Sequence, residues 1–97
     1  MRAIAHDVRL KNGQIDLVML DGDTLVLVEV KARRGSGFGL PQEAVDGRKL
    51  ARLRLLAETY QLLNPGLAAD LRVDVVAVEL DFAGRPGRCH HIPNVLV

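Results

Sequence analysis

Glu29 and Lys31 stand two residues apart at the end of a run, Thr24 to Lys31, that is otherwise rich in Val and Leu. Taking ionisable groups into such a segment is costly unless each finds a partner. Side chains alternate along a strand, so Glu29 and Lys31 share one face with Leu25 and Leu27, while Val26, Val28 and Val30 take the other. Asp16 lies in the preceding apolar run, Gln14 to Leu20, and Asp21-Gly22-Asp23 separates the two runs as a hairpin turn. With Gly22 and Asp23 at the centre of a two-residue loop, Asp21 pairs with Thr24 and Asp16 faces Glu29. With Asp21 and Gly22 at the centre, Asp16 faces Leu27 and Glu29 becomes its diagonal neighbour. Both registers put the two carboxylates on one face; a three-residue loop separates them unless a bulge restores the phase.

Opposed carboxylates repel unless a proton or a cation lies between them. A hard divalent cation, Mg²⁺ or Mn²⁺, held by Asp16 and Glu29 meets that requirement, with waters and a phosphate oxygen completing its shell. Lys31, on the same face, is placed to hold an attacking water or to stabilise charge developing on the phosphate. That is Lewis-acid and electrostatic catalysis of phosphodiester hydrolysis. The competing reading is a metal-free salt bridge from Lys31 to Asp16 or Glu29.

The elements that must position these groups are legible in the 97 residues around them. Ala3 to Leu10 alternates weakly and ends at Lys11-Asn12-Gly13, a hairpin signal. Thr24 to Lys31, apolar on both faces until Glu29, reads as a central strand covered on both sides. Gly35 to Gly39 reads as a mobile loop beside the site; no Gly-Lys-Ser/Thr follows to make it a phosphate loop. A helix is expected from about Pro41 to Leu63, with an apolar stripe through Leu50, Leu53, Leu56, Ala57, Tyr60 and Leu63 and with Arg48 and Arg52 turned away. Leu55 and Leu62 fall outside the stripe and are candidates for an interface with a second copy of the chain. Asn64-Pro65-Gly66 stops the helix, Arg72 to Leu80 reads as a fourth strand, and Cys89 to Pro93 as a short fifth. The expected class is α/β, in the order βββαβ(β), as one domain over residues 1–97.

Charge and composition narrow the function classes. Net charge is only +1, yet residues 31–54 hold seven basic and two acidic residues, a local +5 against −4 elsewhere. A basic stretch beside carboxylates suits a polyanion, and Arg33, Arg34, Lys49 and Arg52 are the candidates for phosphate contacts with DNA, Lys49 lying nearest the apolar stripe. Cys89 is the only cysteine, which excludes an intrachain disulfide and a cysteine-based zinc site and suits a cytoplasmic protein. No apolar run approaches the roughly 18 residues that span a bilayer, so no membrane role is expected. His90 and His91 point to opposite faces of a strand and do not readily share an ion; they and His6 read as structural or surface residues. Asp74 reads as the anchor of an arginine.

Asp16, followed by Glu29-Val30-Lys31 at the close of the next strand, resembles the PD-(D/E)xK site of the restriction-endonuclease-like fold. More specifically, the chain is similar to the bacterial YraN family of endonuclease-like proteins. The resemblance runs through Gly13-Gln14-Ile15-Asp16-Leu17-Val18, Asp21-Gly22-Asp23-Thr24-Leu25-Val26, Val28-Glu29-Val30-Lys31-Ala32-Arg33, Phe38-Gly39, Glu43-Ala44-Val45, Lys49, Asp74-Val75-Val76 and His91-Ile92. It implies a mixed sheet flanked by helices, a Holliday-junction-resolvase-related scaffold, structure-selective action on DNA, and Asp16, Glu29 and Lys31 as the site. Two departures accompany it. Gln14 stands where the family has Glu, and the glutamate-bearing helix with which family members open has no counterpart here. These departures support the alternative of a catalytically degenerate scaffold that binds nucleic acid or another protein.

Overall fold

The computed structural model describes residues 1–34 and 47–95, with the side chains of Arg33 and Arg34 outside that description. Five strands and one helix follow the order β1 (Arg2–Leu10), β2 (Gly13–Asp21), β3 (Thr24–Arg34), α1 (Gly47–Leu63), β4 (Asp70–Leu80) and β5 (Pro86–Ile92). They form a mixed α/β structure in which the sheet order equals the chain order, β1-β2-β3-β4-β5. β3 is therefore central, as its apolar composition requires. Its pairing with β2 is antiparallel and with β4 parallel. A parallel neighbour demands a crossover rather than a tight turn, and α1 lies in that connection. The expected loop at residues 35–39 and the helix start at Pro41 lie outside the described residues.

Both early turns are made by the residues the sequence offers for them. Leu10 pairs with Gly13 across Lys11-Asn12. Gly13 has φ +147°, a conformation that favours glycine, and a Cβ there would also crowd a Leu56 methyl of α1 at 3.2 Å. Asp21 pairs with Thr24 across Gly22-Asp23, with Gly22 at φ +60°, which selects the first of the two registers considered above.

The core lies between the sheet and α1, where Leu53, Leu56 and Ala57 meet Val18, Leu25, Leu27 and Val73. The helix forms over residues with no Gly or Pro between Arg48 and Leu63. Leu50 and Tyr60 are half-buried as expected, but Leu63 is 64% exposed. The chain leaves the helix at that residue, with Asn64 Nδ2 donating to the Tyr60 carbonyl at 2.9 Å, and Leu67 and Ala68 pack on the core in its place. Leu55 and Leu62 are exposed, at 52% and 81%. No helix among the described residues is long and apolar enough to cross a membrane.

One irregularity positions the site. In β1 and β2 the core-facing pairs are Ala5 with Val18 and Val8 with Ile15, three residues apart on each strand rather than two. Strict alternation is broken between them, and Asp7 takes φ +51° there. Asp16 falls in this phase change. Its carboxylate reaches β3 at the Val30 amide.

On the face opposite α1, Asp74 is completely buried and fully bonded. Arg72 donates to both of its oxygens, from Nε at 3.0 Å and Nη2 at 3.3 Å. His91 Nε2 lies 2.8 Å from Oδ2, and the Asn94 amide donates to Oδ1 at 2.9 Å. Arg72 also reaches Asp21 Oδ2 at 3.3 Å. The expectation of an arginine anchor holds, and the carboxylate in addition fastens β5 and the segment after it to β4. Burial alone would raise the Asp74 carboxyl's pKa, but the Arg72 guanidinium, the Asn94 amide and His91 outweigh it and hold it below the ordinary aspartate value. A lowered carboxyl contributes stability that is present above its unfolded value and is lost as pH falls through the folded one. Replacing Asp74→Asn should cost about 3–5 kcal/mol in urea unfolding at neutral pH. The wild type should lose stability on acidification below about pH 4 more steeply than the variant does.

Candidate functional site

The ladder between β2 and β3 runs from Asp21–Thr24 to Leu17–Val28 and records no further pair. One residue beyond, Asp16 Oδ2 accepts the Val30 amide proton at 2.8 Å. A carboxylate thus takes the place of a backbone carbonyl where the two strands part. This bond sets Asp16 against the Glu29–Val30 peptide, so Asp16 meets β3 through its side chain rather than as a ladder partner of Glu29.

Glu29 continues the core-facing row of β3 beyond Leu25 and Leu27, with buried Val75 beside it on β4. Its side chain is only 13% exposed. A carboxylate at that depth must be compensated, and two lysines do so. Lys49 Nζ, from the first described turn of α1, lies 3.2 Å from Glu29 Oε1, and Lys31 Nζ lies 3.6 Å from the same oxygen. Lys49 is itself 12% exposed and Lys31 30%. Burial and the neighbouring Lys31 lower the Lys49 pKa, while Glu29 pulls it back up. Two ammonium groups share one carboxylate oxygen. Glu29, Lys31 and Lys49 thus form a cluster of opposite charges half-sheltered from water.

The structure brings together Glu29, Lys31 and Lys49 and bonds Asp16 to the Val30 amide of the same strand. No ion pair joins Asp16 to Lys31 or Lys49 among the described residues. Arg48 and Arg52 are exposed on α1. In register, Arg33 of β3 stands beside Glu79 and Arg34 beside Leu80, their side chains being outside the described residues. Among the described residues no three His, Cys, Asp or Glu side chains gather as metal ligands.

Two residues that the sequence does not mark for the site share its face. Ala77 pairs with Lys31 on one side and His90 on the other, and His90 Nε2 lies 3.4 Å from Glu79 Oε1. His91 turns the opposite way, to Asp74. Alternation foretells that the two histidines diverge, but the partner of each depends on β5 starting at Pro86 rather than Cys89. Since Lys31 depresses Lys49, Lys31→Met should move the Lys49 ammonium titration upward, observable by NMR of the side-chain nitrogen. An unmoved titration would contradict the shared cluster.

The family model described as uncharacterised protein family UPF0102 matches residues 1–78. A UPF0102 protein of Pelotomaculum thermopropionicum is 49% identical over 89 residues, 92% of this chain and 72% of its own length. Those of an Arthrobacter species and of Beutenbergia cavernae are 45% and 43% identical over 95 residues, each match covering 98% of this chain and 80% of the relative. With the match spanning most of the chain, including Asp16, Glu29, Lys31 and Lys49, the protein belongs to the UPF0102 family, which is the YraN family whose motifs its sequence carries.

Proposed function

We propose that the face formed by Asp16, Glu29, Lys31 and Lys49 is a divalent-cation-dependent site for hydrolysing DNA phosphodiesters, on a restriction-endonuclease-like scaffold. The observation that carries this reading is Glu29, a nearly buried carboxylate in the middle of the central strand, flanked by two ammonium groups, with Asp16 bonded to the amide of the next residue, Val30. The donor set fits Mg²⁺ or Mn²⁺. Asp16 and Glu29 supply oxygen only, and two carboxylates leave the other positions to water and phosphate oxygens, the arrangement Mg²⁺ favours. Such a cation, when bound, polarises a phosphoryl oxygen and makes a bound water more acidic.

The chain's own residues account for the rest. The Val30 amide fixes the orientation of Asp16 before anything binds, so no ordering cost falls on the ligand. Lys31 and Lys49 offer positive charge to the non-bridging oxygens of a phosphate, where charge accumulates as the bond to water forms. Because Lys49 is disfavoured as an ammonium by burial and by Lys31, a phosphate anion relieves that strain as it docks. Arg52, exposed on α1, offers a further positive charge for contacts that read backbone rather than base.

A second reading follows from the same distances. Two lysines already neutralise Glu29 and Asp16 already serves a backbone amide, so the scaffold can also bind nucleic acid without cutting it. Cleavage assays on linear and branched DNA with Mg²⁺ or Mn²⁺ separate the two. Glu29→Ala and Lys31→Ala should each slow cutting by about 100-fold or more. Cutting that persists unchanged in both variants removes this site from consideration, and salt-sensitive binding with no cutting by the wild type establishes the second reading.

A further inference from the structure

Across the sheet from Lys31, the helix-side face continues over Ala77 to His90. Adjacent strands lie about 4.8 Å apart, so the Lys31 and His90 backbones flank a gap of roughly 10 Å. Ala77, the residue between them, is too small to fill it. The His90 side chain is about a third exposed, at 34%, and Glu79, two residues along β4 from Ala77, holds its Nε2 at 3.4 Å. The turn before β5 is tightly specified: Asp81 Oδ1 accepts the amides of Ala83 and Arg85 at 2.9 and 2.8 Å, and the Asp81 amide donates to the Arg85 carbonyl at 2.9 Å. The register shifts between Val78 and Leu80, and beyond that shift Ala77 pairs with His90 on the edge strand β5.

We propose that His90 is the proton donor to the leaving oxygen in the phosphodiester hydrolysis assigned above, with Glu79 as its positioning residue; the inference rests on that reading of the site. A phosphate seated over Ala77 has Lys31 and Glu29 on one side and the imidazole on the other. In-line displacement needs different groups on the two sides of phosphorus, one for the attacking water and one for the departing sugar oxygen. As the water oxygen bonds to phosphorus, the bond from phosphorus to the sugar oxygen breaks and leaves its electron pair on that oxygen. The proton on Nδ1, the ring nitrogen that Glu79 does not hold, passes to it, giving a neutral hydroxyl. The proton lost by the water goes to solvent, from which the imidazole is recharged. Among the described residues the charged partner of His90 is Glu79 of β4; Lys31 of β3 stands in register across Ala77 and is tied through Glu29 to Lys49 of α1.

An alkoxide must be protonated as it leaves, whereas a p-nitrophenolate leaves without help, so the two kinds of substrate isolate the donor's role. The rates to compare are single-turnover cleavage at saturating DNA and hydrolysis of bis(p-nitrophenyl) phosphate, under the same Mn²⁺ concentration, for wild type, His90→Gln and Glu79→Gln. Proton donation predicts that His90→Gln lowers the ratio of the DNA rate to the ester rate by about 100-fold or more, with DNA affinity kept, and that Glu79→Gln lowers it less. A wild type active on both substrates and a ratio unchanged in His90→Gln would overturn the role of His90 and leave the site reading intact. A wild type inactive on both overturns the site reading, and the role of His90 falls with it.

Discussion

Everything at this site depends on the cost of a carboxylate placed in a core-facing row. Leu25 and Leu27 are buried under α1, and the next residue on the same face is Glu29. An apolar side chain there would extend the core; a charged one forces compensation. Lys31 comes from the same strand, but Lys49 must be delivered by the helix. The ion pair at 3.2 Å therefore ties the beginning of the described part of α1 to the middle of the central strand. Stability and site share one interaction. A ligand that competes for Glu29 must return in its own contacts what it takes from the two lysines.

The opposite face of the sheet meets the same cost differently. Asp74 is saturated by Arg72, His91 and the Asn94 amide, leaving no evident capacity for a ligand. Glu29, by contrast, is compensated by charges on flexible stems that can turn outward. Asp74 fixes β5 onto β4, and in that register His90 falls on the strand face that also carries Glu29 and Lys31.

Much of this arrangement can be read from the residues themselves. Asp21-Gly22-Asp23 admits two tight registers, both of which bring Asp16 near Glu29, and an apolar Thr24–Val28 run can only be central. Alternation foretells the Glu29 and Lys31 face and the divergence of His90 from His91. What escapes is whatever breaks period two or spans long separations. Asp16 sits where β1 and β2 lose alternation, so its bond to the Val30 amide has no pattern to announce it. Lys49 meets Glu29 across 20 positions and a crossover, and charge spacing along a helix does not say which strand residue it reaches. Leu63 keeps helical spacing yet is exposed, since Leu67 and Ala68 close the core after the helix ends.

Asp16 and Glu29 flank a single backbone amide, and that proximity gives a direct probe of cation binding. Titrating Mn²⁺ into the isotopically labelled protein and following amide resonances reports where a paramagnetic ion sits. If Asp16 and Glu29 hold the cation, the Val30 amide and its neighbours on β2 and β3 broaden first and most strongly, and Asp16→Asn suppresses the effect. Broadening centred instead on Asp21, Asp23 and Asp70 at the other end of β3, or no localised broadening at all, would contradict the assignment of this site.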